Sequence, residues 1–374
     1  MSDLHNRLLR RIKEHEQAIG VSLVLGEDLL DNSSLLAAPP TPACAGPPVV
    51  PDFDQQHYKE ITFKYRDVYL INGVSIQTYY LPSNKPTSPI FMCHHGAGSS
   101  AMTFAKLAEQ LHQHDIGVFM FDFRGHGHSS NAADASIEAC VEDFKGVYDK
   151  FMQLHFQESS SNSIYLLGHS LGGAVLTKFM VKYYQIMPNI KGLIMLDIVE
   201  ETAVKALDSM PKFLERRPTR FDSIQRAIDW HIKELHLLNN EDSAKLSVPD
   251  LLIKEDGRGG CYTWRANLMD TQQYWEEWFK GLSDNFVNCK GVAKLLILAG
   301  HETLDTNLII GQMQGKYQLI VFNNNVRTGH FVQEDIPQQI ALSLVDFVRR
   351  NDCPNDYMKN ELGIIPKWGG KVHT

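Results

Sequence analysis

An α/β fold is predicted for this chain: a mostly parallel central sheet, helices on both of its faces, and a helical insertion over one edge. Three observations predict it. Short apolar runs alternate with amphipathic helical stretches from Ile90 to Leu196, and alternation of that kind builds a parallel sheet covered on both sides. The apolar run Ile164 to Leu167 passes into Gly168-His169-Ser170-Leu171-Gly172 and then into a second apolar-periodic run, a strand, a sharp turn and a helix with a serine at the apex. The alternation stops after Asp197 and resumes at Lys294-Leu295-Leu296-Ile297-Leu298, so the stretch between is inserted between two sheet strands.

The bulk properties suit a large folded core. The chain has 374 residues, 43% hydrophobic and 21% charged, with a net charge of −8. No basic stripe suggests a nucleic-acid partner. No apolar run reaches the ~18–20 residues of a membrane span. The six cysteines show no Cys-x-x-Cys pair and no His/Cys cluster at zinc spacing; the serine chemistry read below is expected to need no metal or organic cofactor. Scattered cysteines fit a reducing compartment. The first residues lack a signal-peptide apolar region, and Asp3, Glu14 and Glu16 oppose a transit peptide. The expectation is cytoplasmic or nuclear residence rather than mitochondrial import.

In chain order, residues 1–55 are expected to form a mobile tail. A short amphipathic helix over 4–19 precedes a stretch from Ser33 to Pro51 that is rich in Pro, Ala and Ser. Order is expected near Tyr58. Ile61-Thr62-Phe63 and Val68 to Ile71 read as strands, and Asn72-Gly73 marks a hairpin into the period-two run from Val74. Strands at Ile90 to Cys93, Gly117 to Phe121, Ser163 to Leu167 and Lys191 to Leu196 interleave with helices over 99–114, 136–156 and 171–186. The core thus spans 56–198 and 291–350. It includes a late strand Gln318 to Phe322 and a last helix over 336–350. Residues 199–290 read as a helical cap without a strand series. The insert follows a strand C-terminus, which puts it over the active edge of the sheet. Its Trp230, Trp264, Trp275 and Trp278 are either core of the cap or anchors for a partner. Residues 351–374 read as an irregular tail.

The serine at the turn is the candidate nucleophile. Small residues must flank it, and Gly168 and Gly172 do. His94-His95-Gly96-Ala97-Gly98 follows a sheet strand, and the N–H groups of Ala97 and Leu171 are positioned by that pattern to form an oxyanion hole. Among sixteen histidines, His330 is singled out by topology. It lies after the last strand and before the last helix, where a general base acting on Ser170 belongs. The acid that would orient it is Asp197, after one strand, or Glu302 or Asp305, after the next. The residues alone leave these three open. Asp122-Phe123-Arg124-Gly125-His126-Gly127-His128 reads as a structural turn, with Asp122 and Arg124 bracing the serine turn.

From Tyr58 to about Arg350 the chain resembles an α/β-hydrolase, and within that fold the protein phosphatase methylesterases. The resemblance is carried by His95-Gly96-Ala97-Gly98, Gly168 to Gly173, Leu196-Asp197-Ile198-Val199-Glu200, Trp275-Glu276-Glu277-Trp278-Phe279, Leu298-Ala299-Gly300, Gly311-Gln312-Met313-Gln314-Gly315-Lys316 and Gly329-His330. It implies a serine carboxylesterase that demethylates the C-terminal leucine methyl ester of the type 2A protein phosphatase catalytic subunit. It also implies Ser170, Asp197 and His330 as the triad. Ala97 stands where animal members carry a further glycine, a change that a backbone donor tolerates. The alternatives are a broad small-ester hydrolase or lipase and, within what the resemblance implies, a non-catalytic phosphatase-binding inhibitor.

Overall fold

The computed structural model describes residues 54–156, 162–255, 260–300, 303–322 and 328–352. The expected tail over 1–55, its helix and its linker, and the tail over 351–374 fall almost wholly outside these. The described chain opens with helix α1 (Gln55–Thr62), N-capped by the Asp54 carboxylate on the His57 N–H. The strand expected at Ile61-Thr62 is therefore the end of a helix. The cap residue in front of Gln55 and the buried Tyr58 and Lys59 one turn in decide it.

Strands β1 (Tyr65–Ile71) and β2 (Val74–Leu81) form an antiparallel hairpin that closes at the Ile71↔Val74 pair. Asn72 and Gly73 both take positive φ, 49° and 81°, as a two-residue turn of this hand requires. The chain then alternates: β3 (Ile90–His94), α2 (Ala105–His112), β4 (Gly117–Phe121), α3 (Ile137–His155), β5 (Ile164–His169), α4 (Leu171–Tyr183) and β6 (Ile190–Leu196). Every residue of β3, β4 and β5 is buried, as expected for strands covered on both faces. After the insert come β10 (Ala293–Leu298), α11 (Thr306–Met313), β11 (Gln318–Val321), α12 (Val332–Asp335) and α13 (Pro337–Asn351). The strands of the insert take β7 to β9 and its helices α5 to α10. The eight-stranded sheet runs β1-β2-β4-β3-β5-β6-β10-β11. It is parallel from β4 to β11 and antiparallel at the β1-β2 and β2-β4 pairs. One apolar layer on one sheet face includes Phe144, Val175 and Phe179, and the other, on the opposite face, includes Leu107, Leu344 and Phe347.

The insert is not purely helical. It holds α5 (Glu200–Leu207), α6 (Met210–Arg216), β7 (Arg220–Phe221), α7 (Ile224–Asp229), a π-helical turn over Trp230–Glu234, and α8 (Glu241–Ser247). Strands β8 (Leu252–Lys254) and β9 (Tyr262–Trp264) follow, then α9 (Trp275–Phe279) and α10 (Leu282–Asn288). β7, β9 and β8 pair as a small antiparallel sheet. These strands are two or three residues long, too short to show a period in sequence. Trp230, Trp275 and Trp278 are buried, so those three indoles pack the insert and its seam with the sheet domain rather than facing a partner. The Trp278 indole donates to the Ala135 carbonyl at 2.8 Å, tying the insert to the core. Cys93, Cys140 and Cys289 are buried free thiols. Cys261 is disulfide-bonded, which the scattered spacing does not announce.

Candidate active site

β5 delivers Ser170 to the C-terminal edge of the sheet. The residue sits at φ 51°, ψ −122°, a strained conformation at the N-terminus of α4. The turn is pinned by the Ser170 N–H on the Leu196 carbonyl (3.1 Å) and by the Gly173 N–H on the Ser170 carbonyl (2.8 Å). Its glycines are sterically required. A Cβ on Gly172 would lie 2.0 Å from the His94 carbonyl oxygen, and one on Gly168 2.4 Å from the Gly173 nitrogen.

Gly96 packs against the serine; a Cβ there would be 3.0 Å from the Ser170 Cβ. The Ala97 and Leu171 N–H groups donate no hydrogen bond among the described residues, so both are free for a developing oxyanion. The loop that carries Ala97 is held by the turn after β4. The Gly98 N–H donates to His126 Nε2 at 2.9 Å, and the Phe123 N–H donates to His95 Nε2 at 3.2 Å. Each ring therefore carries its proton on Nδ1, directed at the Arg124 and Gly96 carbonyls respectively. Burial holds His126 down to about 4 and His95 well below its usual range, so both stay neutral acceptors. Asp122 accepts from the Ala101 and His128 N–H groups, which ties the same loop and turn together. Arg124 does not reach the serine turn as expected. It forms a buried pair with Asp143 of α3 at 2.7 Å.

Asp197 follows β6 directly, at φ 49°, and is buried. Its Oδ1 accepts the Ala299 N–H at 2.7 Å, and its Oδ2 lies 2.9 Å from His330 Nδ1. Asp305 is engaged elsewhere: it N-caps α11 through the Leu308 N–H (3.0 Å) and accepts the Ser283 hydroxyl. Glu302 lies outside the described residues. Among the described residues, neither the Ser170 hydroxyl nor His330 Nε2 is hydrogen-bonded. The structure therefore joins base to acid and leaves the nucleophile's hydroxyl unpaired.

Two positioning residues escaped the sequence. His169, inside the serine turn, donates Nε2–H to the His330 carbonyl at 2.8 Å, and its ring lies 4.6 Å from the His330 ring. Burial keeps it neutral, with the positive charge of a protonated His330 acting in the same direction. Asp335, in α12, accepts the Gly329 N–H (2.7 Å) and both the N–H and the side-chain amide of Asn239 (2.7 and 3.0 Å). It thus clamps the residue before His330 to the insert. Next to it Glu334 is fully buried, bonded to the hydroxyls of Thr103 and Ser247, each at 2.6 Å. No motif marks either carboxylate; an acidic pair opening an amphipathic helix reads as an ordinary first turn.

The family described as serine aminopeptidase, S33 (Hydrolase_4) matches residues 85–247. A protein from Debaryomyces hansenii named protein phosphatase methylesterase 1 is 51% identical, with all of both chains covered. The protein of that name from Candida albicans is 47% identical, again over all of both chains. The one from Saccharomyces cerevisiae is 40% identical over 78% of this chain and 75% of its own. Among solved structures, E-2-(acetamidomethylene)succinate hydrolase superposes with a TM-score of 0.61 at 16% identity, over 76% of this chain and 99% of its own. A thioesterase domain from the curacin biosynthetic pathway gives 0.54 at 18% identity, over 75% and 98%. These two share the fold.

Proposed function

The chain belongs to the protein phosphatase methylesterase family, and on that premise we propose that it demethylates the C-terminal leucine methyl ester of a type 2A protein phosphatase catalytic subunit. The observation that carries this reading is identity of about half the residues over the whole length of relatives bearing that name. The Asp197–His330 contact supports the following assignment of roles. His330 Nε2 takes the proton of the Ser170 hydroxyl as Oγ forms a bond to the ester carbonyl carbon. The negative charge that gathers on the carbonyl oxygen is met by the Ala97 and Leu171 N–H groups. Collapse breaks the bond to the methoxy oxygen, His330 returns its proton, and methanol leaves. Water then repeats the sequence on the acyl-enzyme, His330 again serving as base, and releases the free carboxylate with Ser170 restored. Asp197 holds Nδ1–H and stabilises the imidazolium in both halves. No step needs a cofactor.

The free protein lacks the hydrogen bond from Ser170 to His330, so the Michaelis complex has to close it. On this reading, binding of a large protein substrate supplies that closure. The test is incubation with type 2A phosphatase carrying a labelled C-terminal methyl ester, with Ser170→Ala as control. Label should leave as methanol with the parent protein only. Retention of the label alongside fast hydrolysis of simple nitrophenyl esters would instead make this a general esterase.

A further inference from the structure

Three consecutive peptide units run from His95 to Gly98, and a histidine ring holds each of them. The His95 carbonyl accepts the His94 Nδ1–H at 2.9 Å, and the Gly96 carbonyl accepts the His95 Nδ1–H at 2.9 Å. In the next unit the Gly98 N–H donates to His126 Nε2 at 2.9 Å. The middle unit bears on catalysis, because its carbonyl belongs to Gly96 and its N–H to Ala97. A second donor, the Ser99 N–H, reaches the same carbonyl at 3.3 Å. All three rings are buried, His95 completely. Phe123 lies beside two of them, its ring centroid 4.7 Å from that of His95 and 4.0 Å from that of His126.

A trans peptide points its N–H and its carbonyl in opposite directions. Two donors on the Gly96 carbonyl therefore fix where the Ala97 N–H points. The His126 bond fixes the following unit, so the loop cannot swing about Ala97. Hydrogen bonds in a chain also polarise one another: a donor on the carbonyl makes the N–H of the same amide a stronger donor. The His95 ring is polarised in turn by the Phe123 N–H on its Nε2, at 3.2 Å. The chain from Phe123 N–H through His95 and the Gly96 carbonyl thus ends on the Ala97 N–H, where the oxyanion forms. Such a donor lowers the barrier only if it is aimed before the charge develops. The glycines at 96 and 98, the second at φ 72°, leave the loop little rigidity of its own. The rings supply it.

We propose that His95 and His126 are positioning residues for the oxyanion hole: His95 aims and polarises the Ala97 N–H through the Gly96 carbonyl, and His126 locks the peptide that follows. All four ring nitrogens are committed to backbone partners, so neither ring is offered to substrate. Their effect belongs to the transition state, where charge gathers on the carbonyl oxygen, and not to binding of the ester. The proposal rests on the methylesterase reading above for its substrate, and on serine ester hydrolysis for its chemistry.

The test uses full-length protein. Turnover of methylated type 2A phosphatase and of nitrophenyl acetate is compared with affinity for a peptide trifluoromethyl ketone, which Ser170 attacks to give a tetrahedral oxyanion. His126→Leu removes the acceptor, and His126→Gln returns one through its side-chain oxygen. His95→Leu removes the donor, and His95→Asn returns one at the Nδ1 place. Each leucine variant should lose about 30–100-fold in kcat, somewhat less than deletion of a whole donor. KM should stay within about threefold, and the ketone should bind more weakly by a factor similar to the loss in kcat. The Gln and Asn variants should recover to within about fivefold of the parent. A folded leucine variant with parental kcat, or one whose KM rises as far as its kcat falls, overturns the proposal. NMR of the unsubstituted protein gives a second readout that requires no variant to fold. Forming the ketone adduct should move the Ala97 N–H and the His95 Nδ1–H proton signals downfield together, as parts of one polarised chain. An Ala97 shift without a His95 shift overturns the relay, and an Nε2–H tautomer in either ring overturns the hold on the loop. Variant losses on nitrophenyl acetate, with no turnover of methylated phosphatase by the parent, leave the positioning roles standing and remove the methylesterase reading. Turnover of methylated phosphatase that no variant alters does the reverse. A parent protein that hydrolyses neither ester and forms no ketone adduct overturns both.

Discussion

Asp197 and His330 lie 133 residues apart in the chain and meet at 2.9 Å through Oδ2 and Nδ1. The acid's position is fixed from two sides. Its N–H is bonded to the Ile297 carbonyl at 2.8 Å and its Oδ1 to the Ala299 N–H at 2.7 Å, so both ends of the residue are tied to β10 and the turn after it. The lone pair left on Oδ2 then has one direction in which to hold the imidazole.

Replacing Asp197 with Asn should therefore cost about 10⁴ in kcat, because the amide fixes the wrong tautomer. Asp305→Asn should lose about tenfold or less in kcat, together with about 1 kcal/mol of stability through the weakened cap on α11. Both are compared on a methylated protein or peptide, with circular dichroism and melts as folding controls. A folded, near-normal Asp197→Asn enzyme beside an inactive Asp305→Asn would reverse the assignment.

What the sequence reveals here follows from what a local pattern can encode. The serine turn is legible because its steric demand is met by residues adjacent in sequence: Gly168 and Gly172 leave no room for a Cβ. The choice among Asp197, Glu302 and Asp305 is not legible, since all three follow sheet strands. The orienting contact to Nδ1 is made across the sheet edge. Gly311 to Lys316, a stretch specific to the resembling family, has a structural role. Gly311 packs against Val287, where a Cβ would lie 2.6 Å away, and Gly315 ends α11 at φ 65°. The contacts of His169 and Asp335 with the His330 turn exist only after folding, so no spacing predicts them.

Ser170 should be the site of labelling by an activated-serine probe. Ser99 is buried, and the Ser129 hydroxyl donates to the Asp122 carbonyl and accepts the Gln77 N–H, so neither is free to react. Ser170→Ala should keep the melting temperature within a few degrees and abolish labelling. Gly172→Ala should instead destabilise by about 3 kcal/mol, because its methyl would meet fixed backbone rather than a movable side chain. Mass spectrometry of the labelled peptide decides it; modification at Ser99 or Ser129 would sink the nucleophile assignment.

Asp335→Asn should lower kcat about 10–100-fold with KM changed little. Three N–H donors converge on this carboxylate. An amide presents one oxygen and one NH₂, so one donor must face another. With the amide oxygen in the Oδ2 place the NH₂ faces the Asn239 N–H, and turned over it faces the Gly329 N–H; either way the tie between the His330 turn and the insert loosens. Asn239→Ala keeps its backbone N–H on Asp335 and should cost only about threefold. A drop in melting temperature at unchanged kcat would reduce Asp335 to a purely structural brace.

Glu334 should make stability fall with rising pH. Burial pushes its carboxyl up to about 8, with the Ser247 and Thr103 hydroxyls pulling it back and Asp335 pushing it further. An ordinary glutamate in the unfolded chain titrates near 4.5. Between those two values the folded state holds a proton that the unfolded state has released. The stabilising contribution of this group is therefore complete below about pH 4.5 and is lost as pH rises through 8. The buried histidines act in the opposite sense. His94, His126 and His231 are held down to about 4 by burial, so protonation of the unfolded chain removes stability as pH falls through 6.5 towards 4. Glu334→Gln separates the two effects, since it keeps all the histidines and replaces the acid with a neutral isostere. The difference in unfolding free energy between parent and Glu334→Gln, measured by urea denaturation at pH 5, 7 and 9, should shift against the parent by about 4 kcal/mol across the series. A difference that does not change with pH would mean that Glu334 titrates alike in both states and that its burial between Thr103 and Ser247 is of no consequence for its proton.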